Sequence, residues 1–270
     1  MGRKASDGDE HPRILATYRA GRYTRIVSIR SVAHTVRDRG PVETRITRLA
    51  RSSLPTAHGD FTAVAYSDSR LGVDHVALVH GDVRERRGAK RTGPDGVPGG
   101  GPDAVLARVH SECLTGESFG SRRCDCGEQL TTALRMIADA GRGVLVYLRG
   151  HEGRGIGLGA KIAAYALQDQ GRDTLDANLA LGLPGDAREY GAAADILADL
   201  GVAAVRLLTN NPDKVDGLVG HGVEVTARVP LSVGVDPVNV DYLRTKRDRM
   251  HHDLPDLDDG PEIKVVGSAG

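Results

Sequence analysis

Val105-Leu-Ala-Arg-Val109 is followed by Leu130-Thr-Thr-Ala-Leu-Arg-Met-Ile-Ala138 and then by Val144-Leu-Val-Tyr-Leu148. The first block reads as a strand. In the second, Leu130, Ala133, Leu134, Ile137 and Ala138 recur at helical spacing, and Gly141 is placed to end the helix. The third is a continuous apolar strand. Outward from this unit, residues 54–83 read as strands with turn signals at Gly59, Ser67 to Ser69 and Gly81, and Val76 to Val79 reads as a buried strand. Residues 88–103 are rich in Gly and Pro and predict a loop. Beyond Leu148 come a glycine-rich loop, helices near 158–170 and 190–200, and the strand Val205 to Leu208. Asn211-Pro212 reads as an N-cap with proline at the first helical position, and a last strand is expected near 223–228. Strands alternating with helices argue for an α/β protein with a largely buried sheet.

Between the first strand and the helix lies His110-Ser-Glu-Cys-Leu-Thr-Gly-Glu-Ser-Phe-Gly-Ser-Arg-Arg-Cys-Asp-Cys-Gly-Glu-Gln129, which holds Cys113, Cys124 and Cys126, the 3 cysteines of the chain. Thiolate is a favoured zinc ligand. Three protein ligands leave a position for water, which is the catalytic pattern, whereas a structural zinc takes four. Cys126 precedes the helix, whose N-terminal dipole favours a thiolate. The alternatives are a structural zinc completed by His110 and three unrelated buried thiols.

The 270 residues are enough for one large domain or two small ones, with a sizeable core. With 36 basic and 36 acidic residues the net charge is zero, so global electrostatics predict neither a nucleic-acid nor a membrane partner. No apolar run is long enough to span a bilayer, no hydrophobic signal region follows Met1, and the clustered, odd cysteine count is unlike a secreted disulfide framework. A cytoplasmic protein is expected. Glycine, at 35 residues, is in excess and points to loops built from backbone. Residues 1–43 are basic and poor in large apolar residues, and read as a disordered extension. From Asp253 the chain is acidic and broken by Pro255, Gly260 and Pro261, and reads as a flexible tail. No internal repeat is evident.

Three further segments carry chemistry. Arg149-Gly-His-Glu-Gly-Arg-Gly-Ile-Gly157 lies between a strand and a helix; its glycines let backbone N–H groups approach an anion, and Arg149 and Arg154 can grip phosphate. A tight turn with solvated charges is an equal reading. Asp186-Ala-Arg188 is either an acid/base and anion pair or an ordinary acidic helix start. Thr209 and Lys214 stand where a strand end meets a helix start, a position suited to phosphate or base contacts, although capping alone would explain Asn211.

Taken together, Arg108-Val-His-Ser-Glu-Cys-Leu-Thr115, Arg123-Cys-Asp-Cys-Gly127, His151-Glu-Gly-Arg-Gly-Ile-Gly-Leu158, Tyr165-Ala-Leu-Gln-Asp-Gln-Gly171, Asp176-Ala-Asn178 and Leu207-Leu-Thr-Asn-Asn-Pro212 resemble GTP cyclohydrolase II, in that family's order, over roughly Leu54 to Met250. The resemblance implies an α/β fold with a mixed β-sheet flanked by helices. It places a catalytic domain at 44–252, between the extension at 1–43 and the tail at 253–270. It implies conversion of GTP to formate, pyrophosphate and 2,5-diamino-6-ribosylamino-4(3H)-pyrimidinone 5′-phosphate, the first committed step of riboflavin synthesis.

Carried over position by position, the resemblance makes Cys113, Cys124 and Cys126 the ligands of one catalytic zinc per subunit. GTP contacts fall on Arg108, Val109, His110, Ser111, Glu112, Gln129, Glu152, Gly153, Arg154, Thr174, Thr209 and Lys214. Asp186 and Arg188 match a proposed general base and nucleophile, and Tyr165 an active-site tyrosine. Glu152 suits the guanine N1–H and amino group, because a carboxylate offers two acceptors side by side. Arg188 as nucleophile is at odds with the permanent protonation of guanidinium; a clamp on the α-phosphate is the other reading. Magnesium accompanies the phosphates, and a homodimer is a family expectation. Gly150-His151 stands where some members carry a single glutamine, which leaves His151 as an extra group. Bifunctional relatives carry an N-terminal synthase domain for dihydroxybutanone phosphate that 43 residues cannot hold, so a monofunctional chain is expected. Two other classes are weighed against the enzyme: a GTP-binding paralogue with partial activity or a regulatory role, and a zinc-stabilised nucleic-acid-binding module.

Overall fold

The computed structural model describes residues 44–84, 104–254 and 257. The expectations for 1–43, for the loop 88–103 and for 258–270 lie outside them. Among the described residues seven strands form one mixed sheet: β1 (Ile46–Thr56), β2 (Gly59–Asp68), β3 (Val73–His80), β4 (Val105–Ser111), β5 (Gly143–Leu148), β6 (Ala204–Leu208) and β7 (Glu224–Val229). Their order is β1-β2-β3-β5-β4-β6-β7. The first three make an antiparallel meander whose last strand pairs antiparallel with β5, and β5, β4, β6 and β7 run parallel. The expected α/β class is what the chain adopts.

The helices are α1 (Leu114–Glu117), α2 (Cys126–Asp139), α3 (Glu152–Gly155), α4 (Leu158–Gln168), α5 (Thr174–Ala180), α6 (Gly191–Asp199), α7 (Pro212–Gly220) and α8 (Val240–Met250). α2 ends where Gly141 takes φ +72°, and Asn211 caps α7 by accepting from the Asp213 N–H at 3.0 Å, with Pro212 first in the helix. β1 begins well before residue 54, the point from which strands were expected, because it is an exposed edge with no apolar alternation to reveal it. α5 and α8 were not expected as helices at all.

Period-two alternation in the central strands divides the core. Val105, Ala107 and Val109 of β4 and Val144, Val146 and Leu148 of β5 pack on one face with Ile196 and Leu197 of α6 and Leu218 of α7. Leu106 and Leu145 face the other side and meet Ala133, Leu134 and Ile137 of α2. On that second face the β4 sequence turns polar after Leu106, so Arg108 and His110 project where apolar residues would otherwise continue. Both are buried. The folded unit also runs past residue 252: Leu254 and Leu257 pack on Leu243 of α8, and Asp253 pairs with Arg228.

The β4–β6 ladder stops early. Its pairs are Val105 with Val205, Leu106 with Arg206 and Ala107 with Leu207. The β4–β5 ladder continues to Ser111 with Leu148. The carboxyl ends of β4 and β6 therefore stop pairing, and a crevice opens there, where open α/β sheets bind ligands.

Ile137 is fully buried between α2 and the sheet. Ile137→Ala should lower the free energy of unfolding by about 2–5 kcal/mol. Urea unfolding followed by circular dichroism checks this, and an unchanged midpoint would contradict the packing described.

Candidate active site

Where the β4–β6 ladder ends, the stranded carbonyls are completed by side-chain cations. Arg108 Nη1 donates to the Leu208 carbonyl at 2.9 Å, and Lys214 Nζ to the Val109 carbonyl at 2.8 Å. Arg108 also donates from Nη2 to Gln129 Oε1 (2.6 Å), whose Nε2 donates to Asp125 Oδ2 (2.6 Å). Lys246 of α8 donates to the other oxygen of Asp125 at 2.7 Å. Of these groups Arg108, Gln129, Lys214 and Lys246 line a cleft of about 1030 Å³, open solvent at its mouth included. The sequence-predicted site residues all border it except two. The Val109 side chain points into the core, leaving only its backbone at the site. Asp186 stands behind Arg188, which does border the cleft.

The cysteines converge at one end. Their sulfur atoms lie within 4.8 Å of one another, and Cys113 and Cys124 are 3.6 Å apart. Sulfurs at Zn–S distances of roughly 2.3 Å in a tetrahedron would stand about 3.8 Å apart. The backbone is shaped to this cluster: a Cβ at Gly116 would come within 2.7 Å of Cys124 Sγ and 3.3 Å of Cys113 Sγ. Three thiolates this close repel one another. Hydrogen bonds with Cys124 and Cys126 hold the Cys113 thiol well below its ordinary range, whereas the contact with Cys113 pushes Cys124 up to about 11 and the contacts with Cys113 and Cys124 push Cys126 well above its ordinary value. A divalent cation at the centre is what would hold all three as thiolates, so the donor set fits a zinc-type ion.

Beside the sulfurs, Glu152 accepts from the Leu114 N–H (2.7 Å), from Lys161 Nζ (2.6 Å) and from the Gly153 N–H (3.2 Å). A carboxylate has about four acceptor positions, so little capacity remains for a further donor. Tyr165 places its hydroxyl 3.4 Å from Thr115 Oγ1, which is 3.8 Å from Cys113 Sγ. The turn after Glu152 is left-handed at Gly153 (φ 59°, ψ 30°) and Arg154 (φ 65°, ψ 36°). For arginine this backbone is strained, a feature that clusters at functional sites. It is held by Ala187, whose N–H donates to the Arg154 carbonyl at 3.0 Å. The terminal nitrogens of Arg154 are buried with no hydrogen-bond partner among the described residues, so they are free to grip an anion.

At the opposite end, Asp186 holds Arg188 through Nε at 2.9 and 3.1 Å and Nη2 at 2.5 Å. Burial pulls the Arg188 guanidinium down, but Tyr190 and Asp186 outweigh it and hold it above its ordinary range. Burial, then Arg108 and Arg188, push Lys214 well below its own. His151, the extra group, is buried with Nδ1 3.1 Å from Ser111 Oγ and its ring edge-on to Tyr190. Burial, Arg188 and Lys214 lower it to about 4, so it is neutral near pH 7. Thr209 spends its hydroxyl on the Asn211 N–H at 3.0 Å.

Lys161 and the α8 residues Tyr242 and Lys246 also border the cleft and were not anticipated. Lys161 had a signal: with Ala164, Tyr165 and Gln168 it completes an i, i+3, i+4, i+7 stripe on α4, all of it facing the cleft. α8 had none, because charged residues crowd every face of it.

Known proteins resemble this chain in sequence over most of its length. The sequence model of the family described as GTP cyclohydrolase II matches residues 47–230. Riboflavin biosynthesis protein RibBA of Mycobacteroides abscessus is 57% identical over 232 residues, 86% of this chain and 53% of that protein. RibBA of Rhodococcus erythropolis is 56% identical over 229 residues, 85% of this chain and 51% of that protein. RibBA of Mycolicibacterium gilvum is 55% identical over 240 residues, 89% and 54% respectively. The chain thus spans about half the length of the curated relatives it matches. A solved two-domain 3,4-dihydroxy-2-butanone 4-phosphate synthase from A. baumannii aligns with 71% of this chain and 42% of that one, at 23% identity and a TM-score of 0.39, a likeness too slight to bear on the fold.

A second network fixes the loop that carries Arg188. Arg45 pairs with both Asp68 and Glu189, and Asp68 Oδ2 stands 3.2 Å from His75 Nε2, whose Nδ1 accepts the Arg149 N–H at 3.2 Å. Burial pushes the Asp68 carboxyl up, but the Arg45 and His75 hydrogen bonds outweigh it and hold it at about 2, below its ordinary 3.8. A carboxyl depressed on folding adds stability that is present above its unfolded value and lost as pH falls through its folded one. The wild type should therefore lose stability between pH 3.8 and about 2. Asp68→Asn should be less stable near neutral pH and lose less over that interval, as measured by urea unfolding across pH. Equal losses in the two proteins would contradict the network.

Proposed function

The chain belongs to the GTP cyclohydrolase II family, and from that premise we propose that its cleft hydrolyses GTP to 2,5-diamino-6-ribosylamino-4(3H)-pyrimidinone 5′-phosphate, formate and pyrophosphate, the first committed step of riboflavin synthesis. The name of the RibBA relatives supports the pathway. The observation that carries the reaction is the meeting, in one cleft, of a three-cysteine cluster with buried cations. Ring opening needs water activated at C8, pyrophosphate release needs positive charge at the phosphates, and a single substrate long enough to reach both ends is a nucleoside triphosphate.

Cys113, Cys124 and Cys126 would hold zinc, which supplies a Lewis acid for attack at C8 and for removal of the formyl group. Every other part belongs to the chain. Arg108, Arg154, Arg188 and Lys214 face the triphosphate, which enters as its magnesium complex. The mutual repulsion of Arg108, Arg188 and Lys214 is relieved by an arriving polyanion, so binding GTP also favours the protonated ammonium of Lys214. Arg188, held cationic by Asp186, is suited to clamp the phosphate as pyrophosphate leaves. To act as a nucleophile it would first have to lose a proton, for which Asp186 is the adjacent acceptor.

Tyr165 stands at the sulfur end, where its hydroxyl can donate to the formyl oxygen. Gln129, Thr174, Thr209 and the backbone from Val109 to Glu112 line the path between the two ends. Glu152 reads the guanine edge. Because three donors already occupy it, the purine must share or displace one of them; guanine brings an N1–H and an amino group to replace what it displaces, and adenine has no matching donor pair to do so. We read the protein as a cytoplasmic homodimer with no nucleic-acid or membrane partner. Among the described residues no helix is long and apolar enough to cross a membrane.

Purified protein incubated with GTP and magnesium should release formate and pyrophosphate in equal amounts, and a zinc chelator should abolish formate. Cys124→Ser should cut formate by more than about 100-fold, while pyrophosphate release, which uses the other end of the cleft, persists. Full formate production by Cys124→Ser would refute the metal role. Release of neither product by the wild type would refute the enzymatic reading.

A further inference from the structure

Lys161 is buried at the junction of three segments that the fold brings in separately. Its Nζ stands 2.6 Å from Glu152 Oε1 and 3.1 Å from Cys113 Sγ. Glu152 follows β5, Cys113 follows β4, and Lys161 lies on α4 together with Tyr165, whose ring centroid is 5.7 Å from Nζ. The lysine is 9% exposed and Glu152 7%. The second oxygen of Glu152 accepts from the N–H of Leu114, the residue after Cys113. The turn also leaves room for Lys161 and no more: a Cβ at Gly153 would come within 3.0 Å of Lys161 Cβ.

A buried ammonium requires paired negative charge, and a buried carboxylate requires a cation. Glu152 alone would meet the first need. The contact to sulfur adds a second partner, and charge counting gives the reason. Three thiolates around a divalent ion carry a net charge of minus one. A carboxylate set against that cluster would be repelled by it, and the two anions can share one wall only with a cation between them. Lys161 is that cation.

We propose that Lys161 is a positioning residue that joins the metal end of the site to its base-recognition end. It holds Cys113 as a ligating thiolate and aims the Glu152 carboxylate at the purine. N–H donation to a ligating sulfur draws electron density from it, which would leave the bound ion a stronger Lewis acid, while the positive charge favours the anionic three-thiolate cluster. The proposal rests on the reading above in which Cys113 binds zinc and Glu152 meets the substrate. Lys161 itself touches neither the metal nor the reacting atoms.

The test compares wild type, Lys161→Met and Lys161→Arg. Zinc affinity is measured by competition with a chromophoric chelator, and KM for GTP is measured separately from kcat for formate. Lys161→Met should weaken zinc binding by about 10–100-fold and raise KM for GTP even when zinc is saturating. Lys161→Arg, which keeps the charge, should recover most of the zinc affinity. Where Lys161→Met fails to fold, Lys161→Gln supplies the neutral comparison. Wild-type affinity for zinc together with an unchanged KM in the neutral variant would overturn the proposal and leave the metal reading standing. Equal weakening in Lys161→Arg and Lys161→Met would show a loss of packing and would also overturn it. A wild type that binds no zinc would remove the metal reading, and the proposal with it.

Discussion

The early end of the β4–β6 ladder is the constraint on which the site depends. A parallel ladder that stops inside a protein leaves carbonyls that must find donors. Here the donors for Val109 and Leu208 are Lys214 and Arg108, two cations buried at the edge of the cleft. The same bonds that finish the sheet thus fix the positive charges that face a ligand. Extending the ladder by backbone pairing would close the crevice and leave both side chains without a purpose. The sheet's incompleteness and the site's electrostatics are one feature, and it lies at the carboxyl ends of the strands because the helices that follow them begin there.

Around this crevice the molecule concentrates cost. Burial, and after it the repulsion of Arg108 and Arg188, push Lys214 well below its ordinary range. Arg154 occupies a backbone conformation that side chains rarely adopt, and its terminal nitrogens have no hydrogen-bond partner among the described residues. Features of this kind lower the stability of the free protein and persist when the surrounding fold over-determines them. The surrounding fold does so here. Ala187 docks the left-handed turn, Asp186 grips Arg188, and the Arg45, Asp68 and Glu189 network pins the segment between them to the meander. The antiparallel strands, which contribute no residue to the cleft wall, act as the anchor for the loop that carries Arg188.

The parts of this arrangement that obey a local rule were legible in the sequence. β5 is a continuous apolar run because both faces are covered, α2 shows its period because one face is, and Asn211-Pro212 announces a helix start by chemistry confined to three residues. The cysteine cluster was legible because thiols have few uses in such density. Other parts follow from tertiary context alone. β1 is an exposed edge with no alternation, and α8 has Leu243 as its only fully buried apolar side chain, so neither carries a readable period. Motif position placed Val109 at the substrate, yet strand geometry turns its side chain into the core, since neighbours on a strand face opposite ways. Lys161 shared a readable stripe with Ala164, Tyr165 and Gln168, but nothing local says that a lysine in such a stripe is buried against a carboxylate and a thiol.

Arg188 shows how structure narrows a chemical role that sequence leaves open. A guanidinium becomes a nucleophile only by losing a proton, and each neighbour that stabilises its charge opposes that loss. Asp186 makes three contacts to it, and Tyr190 adds to the field. Burial works the other way but is outweighed. The same carboxylate that would serve as base is therefore the group that keeps the proton on the arginine. A phosphate arriving beside Arg188 adds negative charge and strengthens that hold. In the reaction proposed above, the route that this geometry opposes least would keep Arg188 a cation throughout, stabilising charge on the phosphate, and would leave to water the attack that a covalent route would assign to the arginine.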